Sequence, residues 1–393
     1  MADQSEPLEL PRSPFLDLDG AVEGTGPDAG TPAHYGGFLT EQRRLARPGD
    51  GPVAIVDQGH LAVLRVEGGD RRSWLDSMTS QALAQLQPGD SAETLLLDAN
   101  GRIEHAVAAV DDGASTWLIT ERSHAVGLAA WLNRMRFMLD VRVVPEHEGY
   151  GVVATLGPTG EAVPSDGAPD LGAAAPNGVP VVWRDPWADP PLGGVTYAMA
   201  ARHPGAAWHL ALHVLERPAL AELARRAGAG EWALAGQDAL EALRIAAWRP
   251  RLGRDVDSRA IPHELDWVRS AVHLTKGCYR GQETVAKVHN LGHPPRRLVA
   301  LDLDGVAPEP GAALHVAGDE GRKMVGRVTS VALHFEEGPI ALAIVKRSLA
   351  PDAVLATDVD EREIAAAQRV IVPIDAGRTV DVPKLRRLQA RGD

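Results

Sequence analysis

Apolar and polar positions alternate through LAVLRV (61–66) and again through RIEHAVAAV (102–110), the period-two pattern of a half-buried strand. Between them ETLLLD (93–98) is a short apolar run of strand length, and STWLIT (115–120) is another. Asn100-Gly101 and Asp112-Gly113 stand between these runs as hairpin turns. Two stretches follow a helical period instead. DRRSWLDSM (70–78) begins at Asp70, a candidate N-cap, and AVGLAAWLNRMRFML (125–139) carries Leu128, Trp131, Leu132 and Met135 on one face. DVRVV (140–144) then returns as a strand. Strand, helix, meander, helix, strand predicts an α+β unit with helices packed on an antiparallel sheet.

A second α+β stretch runs from about residue 146 to residue 253. It contains a Pro- and Gly-rich, loop-like insert near 157–194 and two helices, RPALAELARRAG (217–228) and GQDALEALRIAAW (236–248). From about Arg296 the pattern holds only short apolar strands broken by turns: RLVALDLDG, ALHVAG, GRVTSVALHF, IALAIVKRS, AVLAT and VIVPI. These predict a small β-barrel or sandwich. The acidic, Gly-, Pro- and Ser-containing head, 1–32, reads as disordered, with Phe15 and Leu16 as a weak anchor. The expected units are thus 1–32, 33–145, 146–295, 296–383 and a tail, 384–393.

Composition narrows the function classes. With 40 basic and 53 acidic residues the formal net charge is −13, which argues against a general nucleic-acid binder but leaves room for a local basic groove. One cysteine in 393 residues cannot form an internal disulfide, so the chain reads as cytoplasmic. MADQSEPLEL has neither the basic nor the apolar region of a signal peptide, and no apolar run approaches the roughly 18 residues of a membrane span.

That cysteine, Cys278, lies in KGCYRGQETVAK (276–287). AVHLT (271–275) reads as a short strand, Lys276-Gly277-Cys278 as a tight turn, and GQETVAKVHN (281–290) as a helix ended by Gly292. A thiol just before a helix N-terminus, two residues from a lysine, has its pKa lowered from about 8.5 toward neutrality. The competing reading is a small, inert, buried side chain. His273, His289 and His293 are near in sequence, but nothing fixes one as a base for the thiol.

KGCYRGQE (276–283) resembles the signature of the YgfZ family of folate-binding, iron–sulfur-related proteins, relatives of the glycine cleavage T-protein (aminomethyltransferase). HYGGFLTEQRR (34–44), AIVDQGHLAVLRVEGGD (54–70), LLLDANGRIEHAVAAV (95–110) and ALRIAAWRPRLGRDVDSRAIPHE (242–264) extend the resemblance over about residues 33–380. It implies a three-domain ring of α+β domains plus the C-terminal barrel, around a central funnel that receives tetrahydrofolate. It makes Cys278 and Lys276 the candidate catalytic residues, and Arg244, His105, Tyr279, Gln282 and Glu264 the candidate folate-binding ones. Arg244 matches the family's folate-facing arginine, although an i,i+3 ion pair with Glu241 is an equally simple use for it. His105 and Ala106 stand where the T-protein has an aspartate, and no Tyr-Thr-Gly-Glu segment is found. His105 is either a pterin contact or a polar residue of a half-buried strand.

The expected function is therefore a folate-binding accessory protein for iron–sulfur cluster assembly or repair, supporting iron–sulfur enzymes that include tRNA-modifying ones. The alternative is a tetrahydrofolate-dependent aminomethyltransferase or other one-carbon transferase; a third reading is a scaffold with a packed, inert cysteine. The expected partners are folate and iron–sulfur client enzymes, with no direct nucleic acid, no membrane, and a monomeric chain that is not a self-sufficient enzyme.

Overall fold

The structure, a computed structural model, describes residues 8–47, 52–157, 170–199 and 203–379. Its first sheet is antiparallel, in the spatial order Ser91–Leu97, Ile103–Asp111, Ser115–Glu121, Leu61–Glu67, Arg142–Pro145. Alternation along each strand divides its side chains between two cores. Leu64, Leu96, Ala109 and Leu118 pack under the helices Arg71–Met78 and Arg122–Met135. Their neighbours Val63, Leu95, Val110 and Ile119 face the opposite way, into a larger core.

That larger core is shared with a second sheet, ordered Val182–Arg184, Leu210–Glu216, Tyr150–Leu156, Ala54–Asp57, Ala233–Ala235. Only its last pair is parallel. Val152, Ala154, Leu212 and Val214 meet the first sheet's inner face. The helix Arg217–Gly228 covers the other face through Leu220, Leu223 and Ala224. The third body is a closed six-stranded barrel, Arg296–Leu303, Gly338–Lys346, Gly326–His334, Ala313–Val316, Leu355–Val359 and Arg362–Val370. Val299, Leu301, Leu314, Ala343 and Val345 fill it. The α+β architecture with a C-terminal barrel is as the pattern predicts. Among the described residues no helix is long and apolar enough to cross a membrane.

Several local expectations change. The head is not a disordered arm over residues 8–32: Phe15 is fully buried against Ile55, Val153 and Leu220, and a short ribbon pairs Val22–Glu23 with Pro32–His34. Residues 1–7 and the expected tail, 384–393, lie outside the described residues. The Ala54–Asp57 strand belongs to the second sheet although it precedes every strand of the first, so the two α+β units interleave across the expected boundary at 145. The insert near 157–194 is partly core, since Trp183 and Trp187 are buried.

Asp70 does not cap its own helix; its carboxylate accepts from the Asp140 backbone N–H at 2.9 Å, closing the sheet edge instead. The helix expected to reach Leu139 ends at Met135, after which Phe137 takes φ 44° and Met138 is fully exposed. AVHLT is no strand: a single helical turn, Val268–Ala271, runs into an irregular segment. In the barrel the last strand is Arg362–Val370, which takes only the first residue of VIVPI; the rest follows as a bend and turn.

Candidate functional site

The inner faces of the two sheets border an open cavity of about 140 Å³. It is walled by tryptophans, among them Trp183, Trp208 and Trp267, and by a ring of charge that the surrounding segments carry inward. Arg249 sits just after the helix Gln237–Ala246. Its guanidinium donates to Asp185 Oδ2 at 2.9 Å and to Glu93, and lies 5.1 Å and 5.6 Å from the ring centres of Trp187 and Trp267. Ser270 Oγ donates to the other Glu93 oxygen at 2.6 Å. Burial pushes the Glu93 carboxyl up, and Arg249 beside it opposes that.

Arg251 continues the ring. It donates to Glu121 at 2.7 Å and 3.1 Å and lies 3.2 Å from Glu241. Asp28, from the N-terminal segment, accepts from Arg251 at 2.6 Å and from Arg254. Burial would raise the Glu241 carboxyl, but Arg244 and Arg251 outweigh it and hold the group well below the usual carboxylate range. All four carboxylates that line the cavity, Glu93, Glu121, Asp185 and Glu241, are therefore ion-paired. Burying so many charges is tolerable only because each is matched and hydrogen-bonded.

Among the described residues two lining groups have no partner: the Trp267 indole N–H and His60 Nδ1. Burial first, then Arg251, lowers the His60 pKa to about 4, so its ring is neutral at pH 7. One orphan donor and one neutral imidazole beside aromatic walls suit the fused heterocycle of a folate, which presents ring nitrogens and a carbonyl. At that volume, below the roughly 300–1,000 Å³ of pockets that enclose whole drug-sized ligands, the cavity would not enclose a whole folate.

The residues singled out from the sequence divide. Cys278 is exposed on the turn before the helix Gln282–Leu291. Lys276 does not place its charge at that thiol. Its Nζ donates to the carbonyls of Thr79 at 2.9 Å, Gln81 at 2.7 Å and Asp76, and lies 3.3 Å from the Asp76 carboxylate. It pins the turn to the first domain. Gln282 Nε2 braces the same turn by donating to the Lys276 carbonyl at 3.2 Å. Tyr279 is buried beneath it, its hydroxyl without a partner among the described residues and its pKa raised by burial. None of these residues, nor Cys278, lines the central cavity.

Arg244 does line it, yet every arm of its guanidinium is engaged. It donates to Glu241 at 3.0 Å and 2.8 Å, to Asp255 at 2.9 Å, to the Arg249 carbonyl at 2.5 Å and to Ser330 Oγ of the barrel at 2.7 Å. The pair with Glu241 forms, but on a buried face rather than a solvated one, and the side chain joins domains instead of offering a free cation. His105 points the wrong way for a pterin contact. Its ring packs edge-on against His124 at 5.4 Å, under the Arg122–Met135 helix, while Ala106 lines the cavity. A period of two puts neighbours on opposite faces. Glu264 is fully buried and accepts from Arg296 at 3.0 Å and 2.7 Å, fastening the Pro262–Leu265 turn to the barrel.

Sequence reasoning missed Glu93, Asp185, Arg249, Arg251 and the Trp cluster. The available signals were a charge inside the apolar run ETLLLD and four arginines in the eleven residues from 249 to 259. The flanking histidines serve elsewhere: His289 Nδ1 lies 3.1 Å from the Tyr197 hydroxyl, and His293 Nδ1 donates to the Ala376 carbonyl at 2.9 Å. Among the described residues no three His, Cys, Asp or Glu side chains converge as metal ligands.

A family model for the GCVT N-terminal domain matches residues 50–175. Relatives include an aminomethyltransferase of Frankia alni, 28% identical over 375 residues, covering 90% of this chain and 95% of the relative. An aminomethyltransferase of Synechococcus sp. is 25% identical over 323 residues, covering 76% and 81%. A chloroplastic transferase-like protein of Arabidopsis thaliana is 26% identical over 299 residues, 72% of this chain but only 62% of that protein's length. In structure, the chain superposes on the glycine cleavage aminomethyltransferase T of Bartonella henselae with a TM-score of 0.69 at 20% identity, over 95% of this chain and all of the other. The fold is that of the glycine cleavage T-protein, and residues 50–175 are similar to its GCVT N-terminal domain family.

Proposed function

From a chain related to the glycine cleavage T-proteins through its GCVT domain, we propose a folate-binding accessory protein for iron–sulfur cluster assembly or repair. It is of the YgfZ type and acts as a monomer in the cytoplasm. Its clients are iron–sulfur enzymes, including tRNA-modifying ones. The observation that carries the reading is a separation. The single thiol is presented on the surface by a turn that Lys276 and Gln282 brace, while every carboxylate of the central cavity is already paired. Such an interior would hold a ring between Trp267 and His60 and offers no unpaired carboxylate. Bound tetrahydrofolate would supply a reduced ring able to accept a one-carbon unit. The client's iron or sulfur is the substrate of the thiol, and a stable four-iron cluster would need ligands from a second chain. The test is Cys278→Ser in a cell lacking the protein: tetrahydrofolate binding is retained and iron–sulfur enzyme activity is not restored. Full rescue sinks the proposal.

A tetrahydrofolate-dependent aminomethyltransferase is the second reading, favoured by the names of the bacterial relatives and by Glu93. Glu93 is a buried carboxyl of the cavity wall whose pKa burial raises, which suits proton transfer. Turnover of tetrahydrofolate with an aminomethyl donor, abolished by Glu93→Gln, would establish it.

A further inference from the structure

A second depression, about 950 Å³, runs between the tip of the 100–102 hairpin, the 254–264 segment and the outside of the barrel. Six cations line it, Arg102, Arg254, Arg259, Arg296, Arg327 and Lys346, against three anions, Asp255, Asp257 and Glu264. This local excess of positive charge stands out in a chain whose net charge is −13. Arg296 is neutralised by Asp257 at 2.6 Å and Glu264 at 2.7 Å, and Arg254 pairs with Asp28. Arg102, Arg327 and Lys346 are exposed and have no carboxylate partner among the described residues.

The barrel register makes the clustering deliberate. Arg296 stands directly opposite Lys346, and Arg327 opposite Ile344, so the three cations share one outer face of three adjacent strands. Val345 and Ala343 point inward. Like charges opposite one another destabilise a sheet; Arg296 is offset by its two carboxylates, whereas Arg327 and Lys346 meet none among the described residues. No aromatic side chain lines the groove, so it has no platform for stacking bases. Guanidinium forks pair bidentately with carboxylates. The groove also adjoins the cysteine motif: a Cβ on Gly281 would lie 2.6 Å from the Asp98 carbonyl oxygen and 3.0 Å from Gly101 Cα, so the hairpin tip rests on the start of the motif helix.

We infer that this groove docks an acidic peptide segment of a partner protein, in extended conformation, with its carboxylates on Arg102, Arg327 and Lys346. The inference deepens the accessory reading, on which it rests for the identity of the partner as a client. Docking there brings that client beside the Cys278 turn.

The test uses the full chain and a fluorescently labelled hexaglutamate peptide. The peptide binds, more weakly as salt rises. The double charge reversal Arg102→Glu/Arg327→Glu weakens it at least about tenfold, about 1.4 kcal/mol. Arg134→Glu, an exposed reversal on the Arg122–Met135 helix, which does not line the groove, leaves binding unchanged. Absence of peptide binding at concentrations on the order of a millimolar, or equal weakening by Arg134→Glu, overturns the inference. So does tighter binding of a single-stranded oligonucleotide that the double reversal abolishes. Thermal stabilisation by tetrahydrofolate, measured on the same double variant, is unchanged; its loss in wild type would count against the folate reading and not against the groove.

Discussion

Arg244 Nη1 donates to Asp255 Oδ2 at 2.9 Å, and through that bond the Gln237–Ala246 helix is fixed to the segment that leads to the barrel. Asp255 Oδ1 in turn accepts from Ser330 Oγ of the barrel at 2.7 Å. Arg244→Ala therefore leaves Glu241 and Asp255 buried and short of a partner. The expected cost is about 3–5 kcal/mol, read as a lower urea midpoint. Weakened folate binding at unchanged stability would instead make Arg244 a ligand contact.

The thiol and its neighbouring lysine should behave oppositely. Cys278 is exposed, so iodoacetamide modifies it in native protein, and Cys278→Ser changes stability by less than about 0.5 kcal/mol. Lys276→Met strips three carbonyls of their donor and costs about 1–3 kcal/mol. A protected cysteine in the native state would contradict the first half, and a neutral Lys276→Met the second.

Trp267→Phe keeps an aromatic wall and removes the unpaired indole N–H. Because Trp267 is fully buried, the smaller ring also lowers the melting temperature of the unliganded protein, so the ligand-induced shift is compared with each variant's own unliganded value. Its stabilisation by saturating tetrahydrofolate should shrink, because ligand-linked stability follows affinity. An unchanged ligand-induced shift would remove Trp267 from the folate site.

Buried titratable groups give two opposing pH dependences. Burial first, then His124, lowers the His105 pKa from 6.5 to about 3. The unfolded chain then binds the extra proton, so stability from this group is full above pH 6.5 and is lost as pH falls from there toward 3. Burial raises Asp266 from 3.8 to about 7, so the folded state holds the extra proton and stability declines as pH rises from 3.8 to 7. Denaturation across pH 4–7 should show His105→Phe flattening the acid-side loss, and Asp266→Asn removing part of the decline toward neutrality. Parallel curves for wild type and variants would refute the assignments.

The two glycines flanking the cysteine are not equivalent. Gly281 has φ +84° and backs onto the 98–101 turn, whereas a Cβ on Gly277 meets nothing within 4 Å. Gly281→Ala should cost about 1–3 kcal/mol and Gly277→Ala almost nothing, by thermal melting. Equal effects would mean that the hairpin does not seat on the motif helix.

The sequence by itself determined the elements whose signal is local. Period-two alternation in 61–66 and 102–110 set strands with two apolar faces, and Asn100-Gly101 set the hairpin between its neighbours. The helical stripe from Leu128 to Met135 set a helix, and the glycine-bounded cysteine marked a turn before another. Tertiary structure decided what is non-local. Which face of Ile103–Asp111 meets the cavity put Ala106 inside and His105 outside. Phe15 became core because a slot between Ile55, Val153 and Leu220, residues far along the chain, was there to receive it. Ala54–Asp57 crossed to the second sheet for the same reason, its pairing partner lying about a hundred residues on. Whether a charged residue is a free site or a structural tie depends on the partners that burial brings to it. Arg244 and Lys276 are consumed by partners that include other domains, while Arg327 stays unpaired because the barrel register sets no carboxylate against it, and Arg102, on a hairpin of the first sheet, meets none among the described residues. Burial makes an unpaired charge costly and a paired one inert, and the pairing is a property of the assembled fold.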